Sequence, residues 1–180
     1  MSHWLVDLAK KAIQEEFDKK HLIDPVLLYD QHPELSRPQA TFVTLHLNGQ
    51  LRGCIGSLTA YRPLLEDLVH NAKASAFEDP RFYPLSQEEF LRTDVEVSLL
   101  SAPEAVPYDT LEALKKLIVP RVDGIILQKG SKKATFLPQV WEQLPSFELF
   151  FSHLCQKAGL EANCLEKHPD IWRYRVEKVN

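Results

Sequence analysis

Apolar positions recur along this chain with two different periods, and the switches between them mark out its elements. Residues 3–19 place Trp4, Leu5, Leu8, Ala12, Ile13 and Phe17 on one stripe. That is the spacing of an amphipathic helix, and Ser2 is available as its cap. Thr41 to Leu47 alternates apolar with polar and is rich in β-branched residues, Asn48-Gly49 supplies a primed turn, and Gln50 to Leu58 continues beyond it. These residues predict a β-hairpin. Pro63 suits the first turn of a helix whose buried stripe is Leu64, Leu65, Leu68, Val69, Ala72 and Ala76. That helix stops by Asp79, because Pro80 follows. Its small residues Ala72, Ala74, Ser75 and Ala76 leave room for another backbone to approach closely.

The remaining pattern completes the outline. Residues 24–39, punctuated by Asp24-Pro25, His32-Pro33 and Arg37-Pro38, predict an irregular connection fixed by proline. Ser86 with Glu89 is a capping box for a short helix, and Asp109 with Glu112 is a second one before residues 111–118. Asp94 to Leu100 reads as a strand with Val95, Val97 and Leu99 facing one way. Gly124 to Leu127 and Ala134 to Leu137 flank a Gly130-Ser131 turn, a second hairpin. Ser146 opens the last strong helix, Gly159 closes it, and Ile171 to Val176 alternates as a terminal strand. Tight-turned strand pairs with helices in blocks predict an α+β fold, mainly antiparallel sheet with flanking helices.

Composition narrows the function. A chain of 180 residues fits one domain, 1–180, with room for a small appended lobe. A formal charge of -4 gives no reason to expect a nucleic-acid partner. No apolar stretch approaches a membrane span, and the amphipathic start is no secretory signal. Three cysteines, Cys54, Cys155 and Cys164, with no CxxC pair, predict free thiols and a reducing, cytoplasmic compartment. His153, Cys155, Cys164 and His168 have metal-ligand composition. However, His153 and Cys155 stand two apart on a helix and face different ways, so no metal is expected. No GxGxxG or GxxxxGK[ST] segment occurs, and no cofactor is expected.

The chemistry concentrates at Leu51-Arg52-Gly53-Cys54-Ile55-Gly56-Ser57-Leu58. Glycine inside a strand packs nothing, so two of them around a cysteine imply a bend or a close neighbour. A thiol becomes a nucleophile beside a cation or a base. In a regular strand Arg52 shares the face of Cys54, where it polarises the thiolate or anchors an anionic substrate. A two-residue turn pairs Val43 with Cys54, Leu45 with Arg52 and His46 with Leu51, which puts His46 on the opposite face unless a bulge at either glycine overturns that register. The other reading is a buried cysteine acting as a small apolar side chain. Glu96 interrupts an apolar strand on the face of Asp94 and Ser98, either as a solvent-facing residue or as a base or counter-ion for Arg52. In Phe77-Glu78-Asp79-Pro80-Arg81-Phe82-Tyr83-Pro84, Asp79 is a second candidate base, or pairs with Arg81 to hold the loop.

Six blocks in order carry a family resemblance: Leu51 to Gly56, Ala76 to Leu85, Glu96 to Ser101, Asp123 to Leu127, Ala134 to Gln143 and Leu154 to Leu160. The chain strongly resembles the AMMECR family, nearly end to end. The resemblance implies an α+β fold with a larger and a smaller lobe and a cleft between them, lined by the Arg-Gly-Cys-Ile-Gly segment. Matched motif positions give Cys54, Glu96 and Asp79 as candidate catalytic residues. They give Arg52, Gly53, Gly56, Arg81 and Gln139 as candidate binding residues. The family also implies work beside a Memo-type protein and a radical-SAM protein. Two functions follow: a cysteine-dependent enzyme acting on a small polar or anionic metabolite, or a non-catalytic binding or adaptor module.

Overall fold

A computed structural model describes residues 3–179. The chain divides into two compact units, Met1–Leu100 with Glu177–Asn180, and Ser101–Val176.

The first unit is built on a four-stranded sheet. Helix α1 (Trp4–Asp18) precedes the hairpin of β1 (Ala40–Leu47) and β2 (Gln50–Gly56). The expected cap of α1, Ser2, lies outside the described residues. After the hairpin come α3 (Leu64–Phe77), α4 (Gln87–Phe90) and β3 (Thr93–Leu100). The linker expected to be irregular instead holds α2 (Pro25–Gln31) and a 3₁₀ turn, Pro33–Ser36. Proline is the reason, since it suits a first helical turn, and Asp24 caps α2 by accepting from the Leu27 amide. The order across the sheet is β2-β1-β3-β8, the last being Val176–Val179 near the end of the chain. Both partners of β1 are antiparallel to it. One sheet face presents Val43, Leu45, Val97 and Leu99 to a core shared with Leu5, Leu8, Ile13, Leu68 and Ala72 of α1 and α3. Burying such side chains is worth about 1.5–3 kcal/mol each, which makes this face the main support of the unit.

A buried polar knot ties α3 to β1. Asp67 accepts from the Thr41 amide and hydroxyl, from Ser57, from Arg62 and from Asn71. Buried carboxylates survive only when so fully paired.

The second unit carries β4 (Glu104–Ala105), α5 (Leu111–Leu117), β5 (Gly124–Lys129), β6 (Lys132–Phe136), α6 (Phe147–Lys157) and β7 (Asp170–Tyr174). Its sheet order is β4-β7-β5-β6, antiparallel throughout. Trp141 stacks on Phe150 with ring centroids 3.7 Å apart, within a core that also holds Leu114, Ile125, Leu127 and Phe151. Thr110, rather than Asp109, caps α5 by accepting from the Ala113 amide.

Two expectations need correction. Cys155 and Cys164 form a disulfide, with Cα atoms 5.8 Å apart. The chain folds back between them through Gly159, at φ +82°, a reversal that no CxxC spacing announces. This pairing also takes both thiols from the metal-like set, and no His/Cys/Asp/Glu group among the described residues converges on a metal position. The terminal strand is two strands: β7 stays in the second unit, and β8 (Val176–Val179) joins β3 in the first sheet. Among the described residues, no helix is long and apolar enough to cross a membrane.

Candidate functional site

Strand β2 carries a β-bulge. Leu51 lies opposite His46 and Gly53 opposite Leu45, so Arg52 is the extra residue. The expected pairing of His46 with Leu51 holds. Beyond the bulge the register moves by one, and Cys54 lies opposite Thr44 rather than Val43. One residue of slip exchanges the two faces of a strand. His46 therefore shares the face of Cys54, on a diagonal position, contrary to the regular-strand expectation.

The two glycines have steric explanations. A Cβ on Gly53 would lie 2.0 Å from the Ser75 carbonyl oxygen, so the α3 backbone packs directly on β2. The small residues around Ser75 allow that approach. A Cβ on Gly56 would meet the Phe42 ring at 2.2 Å. Both glycines serve packing, and neither has a positive φ.

Cys54 is partly buried and carries the one free thiol among the described residues. Its sulfur lies 3.3 Å from the Thr44 hydroxyl. Burial pushes its pKa up, an effect opposed by the Thr44 contact and the positive Arg81, and reinforced by Asp79 and Glu96. The thiol is thus held protonated at neutral pH, with a hydroxyl rather than a base against it.

Arg52 turns away to another task. Its Nε and Nη2 donate to Glu89 at 2.9 and 3.1 Å, and Nη2 also donates to the Tyr83 carbonyl at 2.8 Å. Its guanidinium carbon stands 5.6 Å from the centre of the Phe82 ring. Two-point pairing of this kind is the strong form of an ion pair. It lowers the Glu89 pKa to about 2, with Arg52 as the principal cause. Of the two readings of Glu96, the counter-ion to Arg52 is not the one formed, since Glu96 meets Lys178 of β8 at 3.4 Å. Thr44 stands between Cys54 and Glu96 in the sheet, two strand spacings or about 10 Å of backbone.

Asp79 is almost fully buried and accepts four hydrogen bonds: from the Cys54 amide, the Arg81 amide, and Nε and Nη2 of Arg81. The Arg81 guanidinium holds its carboxyl well below the usual carboxylate range, helped by the two amides. Arg81 also reaches the Cys54 carbonyl at 3.5 Å. The outcome is a clasp: β2 grips the 77–84 loop through Arg52 at one end and Asp79 at the other. Tyr83, at the Arg52 end, is 90 % exposed.

The structure therefore brings Arg52, Gly53, Cys54, Asp79 and Arg81 together and holds Glu96 on the far side of β1. Gln139 sits exposed on the 3₁₀ turn Pro138–Glu142 of the second unit. Residue-level reading missed two members. Thr44 is hidden because only the bulge brings it opposite Cys54. Glu89 was legible as a capping residue, and it does cap with Ser86, but the same carboxylate also binds Arg52. Elsewhere in this unit, a cavity of about 880 Å³ is lined by residues of α1, α2, α3 and the segment between α1 and α2, and by none of the motif side chains.

Two antiparallel four-stranded sheets, and a bulged cysteine strand clasped to a proline-bounded aromatic loop, define the class. The chain belongs to the AMMECR1 family, whose model matches residues 6–179. A protein of Methanothermobacter thermautotrophicus is 35% identical over 181 residues, spanning 96% of this chain and 90% of that one. One from Thermococcus gammatolerans is 37% identical, spanning 97% and 87%. The crystal structure of the uncharacterized protein PH0010 from Pyrococcus horikoshii superposes with a TM-score of 0.87 at 36% identity, covering 98% of this chain and 89% of that chain.

Proposed function

We propose that this protein is a non-catalytic binding module that docks to a partner protein through the 77–84 loop, with the Arg-Gly-Cys-Ile-Gly strand as the scaffold of that loop. The observation that carries this reading is the exposed Tyr83 on a backbone pinned by Arg52 and Asp79. A rigid aromatic gives large contact area at small entropic cost, the property of interface anchors. Cys54 supports the reading from the other side, because its thiol is protonated and each nearby arginine is paired with a carboxylate, Arg52 keeping only Nη1 without a partner. The Memo-type and radical-SAM proteins that the family implies are the partners to try first.

The test is capture of each partner, encoded in the same genome, by the purified chain. Tyr83→Ala is expected to weaken the complex about tenfold or more, while Cys54→Ser leaves it unchanged. Loss of binding in Cys54→Ser with Tyr83→Ala intact would return the site to cysteine chemistry.

A further inference from the structure

The Asp123-Gly-Ile-Ile-Leu block plays no part in the proposed docking, yet it supplies an unusual group. Asp123 is fully buried at 0% exposure. Its Oδ2 accepts from the Val119 amide at 2.8 Å, and its backbone carbonyl accepts from the Trp141 indole at 2.9 Å. Its Oδ1 has no hydrogen-bond partner. Arg175 Nε stands 3.6 Å away, within ion-pair range but too far to donate a hydrogen bond. A buried carboxylate oxygen without a donor is costly.

Asp123 lines a cavity of about 280 Å³ with Ser101, Glu104, Arg173, Tyr174 and Arg175. Most of these groups are already committed. Arg173 donates to the Leu117 carbonyl and pairs with Glu104. The Tyr174 hydroxyl lies against Thr135 and donates to the Phe136 carbonyl. Ser101 accepts from the Arg175 amide. Two charges are spent only on each other, and without a hydrogen bond: the buried Asp123 Oδ1 and the Arg175 guanidinium, whose side chain is 65% exposed.

We infer that this cavity is a binding site for a small amino-acid-like zwitterion, its ammonium on Asp123 and its carboxylate on Arg175. The entering ammonium gives Asp123 Oδ1 the hydrogen bond that Arg175 does not make. The loosely held guanidinium then turns to the carboxylate, which it can meet at two points. Two arginines on the wall disfavour a bare metal cation, and the carboxylates disfavour a simple anion.

The Trp141 indole N–H reports on the site, because it bonds to Asp123. We expect L-alanine or 4-aminobutyrate to shift its resonance saturably in the full chain. N-acetyl-L-alanine and L-alanine methyl ester, each missing one charge, should bind about tenfold more weakly or worse. Asp123→Asn and Arg175→Gln should each weaken the zwitterion by a similar factor. Arg175 is exposed, so Arg175→Gln decides the matter should Asp123→Asn fail to fold. The proposal falls if neither zwitterion shifts the resonance, or if the blocked compounds bind equally well. It also falls if magnesium ion binds in a way that Arg175→Gln leaves untouched, or if inorganic phosphate binds despite Asp123→Asn.

Discussion

Gly53 shows how a single hydrogen in place of a side chain can set the geometry of a site. Its missing Cβ lets the Ser75 carbonyl of α3 sit against β2. Helix backbone cannot move aside, so Gly53→Ala is expected to lower unfolding stability by about 2–4 kcal/mol in urea titration. Gly56→Ala meets the Phe42 ring at Cγ, the end fixed to the backbone, which ring rotation does not move, and should cost a similar amount. A loss below about 1 kcal/mol at either glycine would contradict this packing account. Cys54 provides a second measurement. As the free thiol it is the residue iodoacetamide labels, and burial raises its pKa, so at pH 7 it should react more slowly than free cysteine. Faster labelling would mean an activated thiolate.

At the scale of elements, the clasp between β2 and the 77–84 loop is an electrostatic hinge pin with a defined acid limit. The folded pKa of Glu89 is about 2, against 4.5 for a free carboxyl. A depressed pKa stabilises the fold above the unfolded value, and that contribution fades as pH falls from 4.5 towards 2. The wild-type chain should therefore lose stability across this window, measured by thermal melting, by more than Glu89→Gln does. Parallel losses would remove the clasp from the acid response. Elements are also where reading from residues succeeded and failed most clearly. The α1 stripe, the hairpin turn at Asn48-Gly49 and the Ser86 capping box were legible, because each rests on chemistry within a few residues. The bulge at Arg52 was not, because its cause lies outside the hairpin, in the α3 backbone against Gly53 and the Glu89 carboxylate that draws Arg52 aside. One hidden residue of slip then concealed both Thr44 and the shared face of His46. The Cys155–Cys164 pair was hidden for a similar reason, a chain reversal that sequence spacing does not express.

For the whole molecule, the two units keep separate cores and separate means of support. The first depends on the α1–α3–sheet core and the Asp67 knot, and the second on stacked aromatics and a disulfide. Closing a loop of this short span is worth about 2–3 kcal/mol in the chain-entropy account. Cys164→Ser should thus lower the melting of the second unit, read from amide exchange of β5 and α6, and leave β1 and β3 protection largely unchanged. Uniform loss of protection would mean that the two cores unfold as one.

Strand β8 has a consequence for synthesis. Residues that complete the first sheet follow the whole of the second unit in the chain. While a ribosome is still making residues 101–176, β3 has no β8 neighbour, and an unpaired strand edge invites wrong partners. The second unit can close its own core during that interval. The first unit gains its last strand only when Val179 has left the exit tunnel, so the part made first is the part finished last.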